Sequence, residues 1–262
     1  MYEIQTYLGA DGLMHCTVCK EPVEAFYPKG SLLEMRKHHR QCACERKAYA
    51  EEAQYYKEKE HRELIARNKK ICFEEKEMEG FTFQNVERDS GVIRIAEEYV
   101  TNWQKMKQNH MGYLFWGPVG TGKSYLAACI ANALLEKEVT VKMTNFNTIL
   151  NDLFAAEDKT EYIRLLNGYE LLIIDDLGVE RSSEYALENI FGVIDWRYRS
   201  GKPLIITTNL PLAQLKQETK IEKKRIYDRI LERCIPVKID GVSRREAMAN
   251  DNMQTMKNIL KI

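Results

Sequence analysis

The run Gly117-Pro118-Val119-Gly120-Thr121-Gly122-Lys123-Ser124 has the spacing G-x-x-x-x-G-K-S, a pattern of residue types suited to holding phosphate. Its glycines permit a tight turn in which successive backbone N–H groups point inward at the β- and γ-phosphates. Lys123 supplies a point charge to the phosphate oxygens, and the Ser124 hydroxyl is a ligand for Mg²⁺. Residues 125–135 read as a helix, with Tyr125 in its first turn, so its positive N-terminal end faces the same anion.

A second group of residues carries complementary chemistry. Leu171-Leu172-Ile173-Ile174-Asp175-Asp176 is an apolar run closed by two carboxylates, the form of a buried parallel strand that delivers acids to the carboxyl edge of its sheet. There Asp175 is expected to hold Mg²⁺, directly or through water, and Asp176 to polarise an attacking water. A third group lies near the N-terminus. Cys16-x-x-Cys19 is followed after 22 residues by Cys42-x-Cys44, two close pairs able to close a tetrahedral thiolate site for Zn²⁺. His15, His38 and His39 lie close enough in sequence for one of them to replace a cysteine. About 45 residues with few large apolar side chains lack a core and need such a staple. A site closed by four protein ligands has no open position and is expected to be structural. Cys72, Cys129 and Cys234 are scattered and read as packing residues.

Positioning these groups requires alternating strands and helices. The expected strands are 112–116, 139–144, 171–175, 204–208 and 235–239, separated by helices. That implies an α/β P-loop fold, a five-stranded parallel sheet with helices on both faces. In front of it stand a zinc-binding module over residues 1–44 and a charged helix over 45–80, rich in Glu, Lys, Arg and Ala and ended by Gly80. Phe81 and Phe83 begin new apolar material and read as core, with packing of one of them near adenine as the alternative. The ATPase domain is expected over 81–245, and one further helix over 246–262. The 262 residues hold 39 Lys/Arg and 39 Asp/Glu, so no bulk attraction to nucleic acid or membrane is expected. Between Pro211 and Arg245, however, ten Lys/Arg stand against five Asp/Glu. With no membrane-length apolar run and no signal peptide, the chain is expected to be cytoplasmic, with its cysteines reduced or metal-bound.

The later motifs resemble AAA+ ATPases. In Ile205-Ile206-Thr207-Thr208-Asn209 the resemblance implies that Asn209 orients the lytic water; taken alone, Asn209 also suits a helix N-cap. Tyr227-Asp228-Arg229-Ile230 resembles the box that carries an arginine finger, which places that role on Arg229, with Arg225 as the alternative. Such a finger acts on the ATP of a neighbouring subunit and so implies self-association. Asp240-Gly241-Val242-Ser243-Arg244-Arg245 resembles the sensor-2 segment, with Arg244 reaching the γ-phosphate. Here the sequence departs from the family, because residues 246–262 are too few for a full helical lid.

Taken together, residues 81–245 are similar to the DnaC/DnaI-type bacterial helicase loaders and to their cousins, the IstB-type ATPases of transposition. The cysteine pairs followed by a charged helix resemble loaders of Gram-positive bacteria and their phages. This resemblance implies hydrolysis of ATP to ADP and phosphate in DNA replication. It further implies that the N-terminal region binds the replicative DNA helicase and that the helicase is placed on single-stranded DNA. DNA contact is expected from residues 145–164 or 216–233. The alternative is a transposition regulator that binds duplex DNA and a transposase. A small-molecule kinase is disfavoured by Asn209, the Arg229 box and the lack of a recognisable acceptor site.

Overall fold

The computed structural model describes residues 5–85, 91–178, 183–241 and 243–260. The chain divides into two compact units, residues 1–64 and 65–262. In the first, β1 (Thr6–Leu8) pairs antiparallel with β2 (Met14–Cys16), and β3 (Glu24–Phe26) with β4 (Lys37–His39). Its buried cluster consists of Cys16, Val23 and Cys42, with Met14, Cys19 and Cys44 packed against them. That is too little apolar surface to hold two hairpins, so the sulfurs occupy the place of a core.

Helix α1 (Ala43–Cys72) follows, and the division between the units falls within it. The helix ends earlier than its composition suggests. Residues 73–79 continue the Glu- and Lys-rich pattern, yet Lys76–Gly80 forms a 3-10 turn. Tertiary packing overrides helix propensity here, because Cys72 and Phe73 are drawn into the core of the second unit. Lys142 Nζ donates to the Ile71 carbonyl at 3.1 Å, and Glu74 accepts from the Thr144 and Thr148 hydroxyls at 2.9 and 3.0 Å.

The second unit begins with a 3-10 turn at Phe83–Asn85, then α2 (Gly91–Thr101) and α3 (Trp103–Gln108). Strand and helix then alternate: β5 (Gly112–Trp116), α4 (Lys123–Leu135), β6 (Val141–Asn145), α5 (Phe146–Ala155), α6 (Lys159–Gly168) and β7 (Leu171–Leu177). They continue with α7 (Glu184–Ser200), β8 (Leu204–Thr208), α8 (Leu212–Lys216), α9 (Ile221–Arg233), β9 (Cys234–Lys238) and α10 (Arg244–Leu260). The five strands β5–β9 form one parallel sheet in the order β6-β7-β8-β5-β9.

Period-2 alternation divides the strand residues between two cores. Leu171, Ile173, Ile205, Tyr113 and Phe115 pack with α2 and α4. Leu172, Ile174, Leu204, Ile206 and Leu114 pack with α5, α7 and α9 on the other face. Strand β9 carries Pro236, tolerated because it lies at the sheet edge. Cys72, Cys129 and Cys234 are all buried packing residues, as expected. Among the described residues, no helix is long and apolar enough to cross a membrane.

Candidate nucleotide and metal sites

The loop between β5 and α4 needs its glycines for two separate reasons. Gly117, Gly120 and Gly122 have φ of +146°, +82° and +94°, where side chains are strained. Neighbouring chain also approaches too closely: a Cβ on Gly117 would lie 2.2 Å from the Ile239 carbonyl oxygen, and one on Gly120 would lie 2.2 Å from Ser243 Oγ. Gly122 caps α4 without a side-chain acceptor, so the first N–H groups of the helix are left for an anion. Pro118 and Val119 form the turn, and Thr121 Oγ ties it by donating to the Pro118 carbonyl at 3.0 Å. Lys123 is buried, and its Nζ donates to the carbonyls of Gly117 and Pro118 at 3.0 and 2.7 Å. The ammonium is thus already held inside the loop.

Opposite stand the carboxylates of β7. Burial pushes the Asp175 carboxyl above its ordinary range, while hydrogen bonds from Thr207 and Ser124 pull it back. Asp176 is exposed and adopts φ +55°, a left-handed conformation rare for a non-glycine residue. Asn209 Nδ2 lies 3.4 Å from Asp176 Oδ1 at the end of β8. Asn209 does not cap a helix, because the N-cap of α8 is Pro211. Ser124 and Asp175 offer hard oxygen donors side by side, a set that fits Mg²⁺.

These groups border a cavity of about 500 Å³ lined by Gly120, Gly122, Lys123, Ser124, Asp176 and Asn209 on the phosphate side. Its other wall is formed by Glu75, Glu77, Met78, Phe81 and Tyr125. The Phe81 and Tyr125 rings stack with centroids 4.5 Å apart. Asn132 on α4 fixes this wall by donating to the carbonyls of Met78 and Phe81 at 2.7 and 3.0 Å. Phe81 and Phe83, read from sequence as core, both pack against it, and Phe81 also faces the cavity. Sequence reasoning missed the acidic and Met78 part of this wall, which no local pattern marks.

Arg229 lies elsewhere. Its Nε and Nη2 both meet Asp195 Oδ1 of α7 at 2.8 Å. Phe191 is flanked by the guanidiniums of Arg225 and Arg229 at 4.2 and 4.6 Å, and Tyr198 by Arg233 at 4.7 Å. Ile226 and Ile230 are buried, whereas Ile221, a turn earlier, is exposed. Arg244 opens α10 directly after Ser243, but its side chain lies outside the described residues.

In the first unit the ligand atoms of Cys16, Cys19, Cys42 and Cys44 all lie within 4.8 Å of one another; among the described residues this is the one cluster of three or more Cys, His, Asp or Glu side chains able to hold a metal. Four sulfur donors so gathered fit tetrahedral Zn²⁺. The backbone N–H of Glu21 holds the Cys19 thiol down to about 6. The histidines are engaged otherwise: His15 with Asp11 and the Lys20 carbonyl, His38 with the His39 carbonyl, and His39 with Glu45.

Comparison with known proteins agrees with this geometry. Residues 48–251 match the family described as IstB-like ATP binding protein. The replicative helicase loader DnaI of Bacillus subtilis is 24% identical over 192 residues, covering 67% of this chain and 62% of the relative. The replicative helicase loader DnaC of Escherichia coli K12 is 29% identical over 149 residues, covering 55% of this chain and 58% of the relative. The matches thus span about three-fifths of these relatives' own length. A crystal structure of DnaI superposes with a TM-score of 0.58 at 25% identity, covering 68% of this chain and 99% of that one. With its phosphate loop and paired carboxylates set on the edge of an AAA+-like parallel sheet, and with residues 48–251 matching throughout, the chain belongs to the IstB-like ATP-binding family.

Proposed function

We propose that this chain is an ATP-hydrolysing helicase loader of DNA replication. The observation that carries the reading is the cavity in which Lys123, Ser124, Asp176 and Asn209 converge, in a chain similar to two replicative helicase loaders. Phosphoryl transfer asks mainly for positioning and charge stabilisation. The open N–H groups of the loop and of α4 receive the phosphate oxygens, and Lys123 turns from its loop carbonyls toward them. Ser124 and Asp175 hold Mg²⁺, which when bound neutralises phosphate charge. Asp176 and Asn209 orient the attacking water, with the Asp176 carboxylate accepting its proton. Arg229 of one subunit acts on the nucleotide of the next, so hydrolysis depends on self-association. Arg244 contacts the γ-phosphate within its own subunit.

The zinc module, with Cys16, Cys19, Cys42 and Cys44 on Zn²⁺, and the charged helix engage the replicative helicase. The ATPase unit contacts single-stranded DNA through residues 145–164 or 216–233. The site of action is the cytoplasm. A second reading, a transposition regulator, rests on the resemblance to IstB-type ATPases, whose family model matches residues 48–251.

The test is co-elution of the zinc-loaded full chain with a purified replicative helicase in the presence of ATP, with hydrolysis followed on adding single-stranded DNA. Loss of co-elution in Cys42→Ser/Cys44→Ser would support the loader reading. Failure of the unaltered chain to bind helicase, with binding to a transposase instead, would replace it by the second.

A further inference from the structure

β7 and β8 pair in regular register from Leu172 with Leu204 to Ile174 with Ile206, but the next pair is Leu177 with Thr208. Two residues of β7, Asp175 and Asp176, therefore stand opposite one residue of β8, Thr207. This is a β-bulge, which re-aims side chains at the cost of a ladder hydrogen bond. The side chain of Thr207 fills that gap. Its hydroxyl accepts from the Asp176 backbone N–H at 2.9 Å and donates to Asp175 Oδ1 at 2.5 Å. Thr207 is fully buried, so its hydroxyl has these protein partners and no contact with bulk solvent.

One hydroxyl thus fixes two things at once: the rotamer of the carboxylate beside Ser124, and the left-handed backbone that turns Asp176 toward the cavity. The neighbouring Thr208 shows that a buried threonine here need not do this. Its hydroxyl donates to the Leu177 carbonyl at 2.7 Å and accepts from Leu210 N–H at 3.1 Å, touching neither carboxylate.

We propose that Thr207 is the positioning residue of the paired carboxylates, setting Mg²⁺ affinity through Asp175 and the aim of Asp176 through its backbone. The inference rests on the nucleotide-binding reading of the same cavity. Partners that orient a ligand in this way typically change metal affinity by about tenfold or more when removed. A serine keeps both bonds, whereas a valine of similar shape keeps neither.

The experiment is binding of the analogue AMPPCP to the full chain across a Mg²⁺ titration and in EDTA, for the unaltered chain, Thr207→Val, Thr207→Ser and Thr208→Val. Thr207→Val is expected to need about tenfold more Mg²⁺ for half its effect, with affinity in EDTA little changed. Thr207→Ser should follow the unaltered chain, and Thr208→Val should lose stability without shifting the Mg²⁺ midpoint. Should Thr207→Val not fold, Thr207→Cys is read in its place, its thiol being a weak donor. An unshifted midpoint in Thr207→Val, or a serine variant as impaired as the valine, overturns the inference and leaves the nucleotide site standing. Absence of AMPPCP binding by the unaltered chain removes the nucleotide site itself, and this inference with it.

Discussion

Replacing Arg229 by alanine separates the ion pair it makes with Asp195 from the role in trans proposed for it. Two of its N–H groups meet a single oxygen of Asp195, whose side chain is 12% exposed against 24% for Arg229. The other Asp195 oxygen is held by Arg199, itself 75% exposed, so the carboxylate keeps one solvated partner after the truncation. The cost therefore falls between an exposed pair, at about 0–1 kcal/mol, and a broken buried pair, at about 3–5 kcal/mol. A value of about 2 kcal/mol corresponds to a fall of roughly 4–8 °C in Tm for a unit of this size. Asp195→Ala should cost a similar amount, and the double variant should recover a coupling of about 1–2 kcal/mol. Activity should divide the two variants. Arg229→Ala removes the guanidinium and should lower assembly-dependent hydrolysis by about a thousandfold. Asp195→Ala leaves the guanidinium in place and should retain most of the rate. Mixing Arg229→Ala with Lys123→Ala subunits should then restore hydrolysis, since each supplies what the other lacks. Equal loss of rate in both single variants, with no complementation on mixing, would show that Arg229 only staples α9 to α7.

Three further outcomes follow from the geometry. The purified chain should contain one zinc by elemental analysis, and both Cys42→Ser and treatment with a chelator should make residues 5–44 sensitive to protease, because sulfurs replace a core there. Phe81→Ala should weaken AMPPCP binding about three- to tenfold in calorimetry, the worth of one aromatic stacking wall, and should lower Tm through the packing it loses against Tyr125 and the core. Gly112→Ala should unfold or precipitate the second unit, since the new Cβ would lie 1.6 Å from the Leu204 carbonyl oxygen between the central strands, a clash costing about 4 kcal/mol or more.

The sheet was legible because each strand is an apolar run bounded by polar turns, and five such runs spaced by helices leave few arrangements open. Strand limits shifted by a few residues. β6 begins at Val141, two residues later than expected, and β7 runs on to Leu177, beyond its carboxylates. The larger miss was the end of α1. Glu- and Lys-rich sequence favours helix through residue 79, and nothing local announces that Phe73 is wanted in a core built mainly from residues after 90. The same packing turns Met78 and Phe81 into a cavity wall, so the missed helix end and the missed wall share one cause.

The carboxylates show where a motif stops being informative. An apolar strand ending in two aspartates predicts acids at the sheet edge, but strict alternation would point Asp175 and Asp176 to opposite faces. Asp175 can meet Ser124 while Asp176 lines the cavity only if the strand departs from its own period. The structure supplies that departure as a bulge, with Asp176 at φ +55° and Thr207 taking up its N–H. In the sequence Thr207 is one polar residue in an apolar strand, indistinguishable from Thr208 beside it. What separates the two is register: Thr207 stands opposite the extra residue and Thr208 one step beyond it. Register is a property of two strands about 30 residues apart. Residues that bear charge can thus be named from the chain alone, whereas the residue that aims them emerges only once the strands are paired.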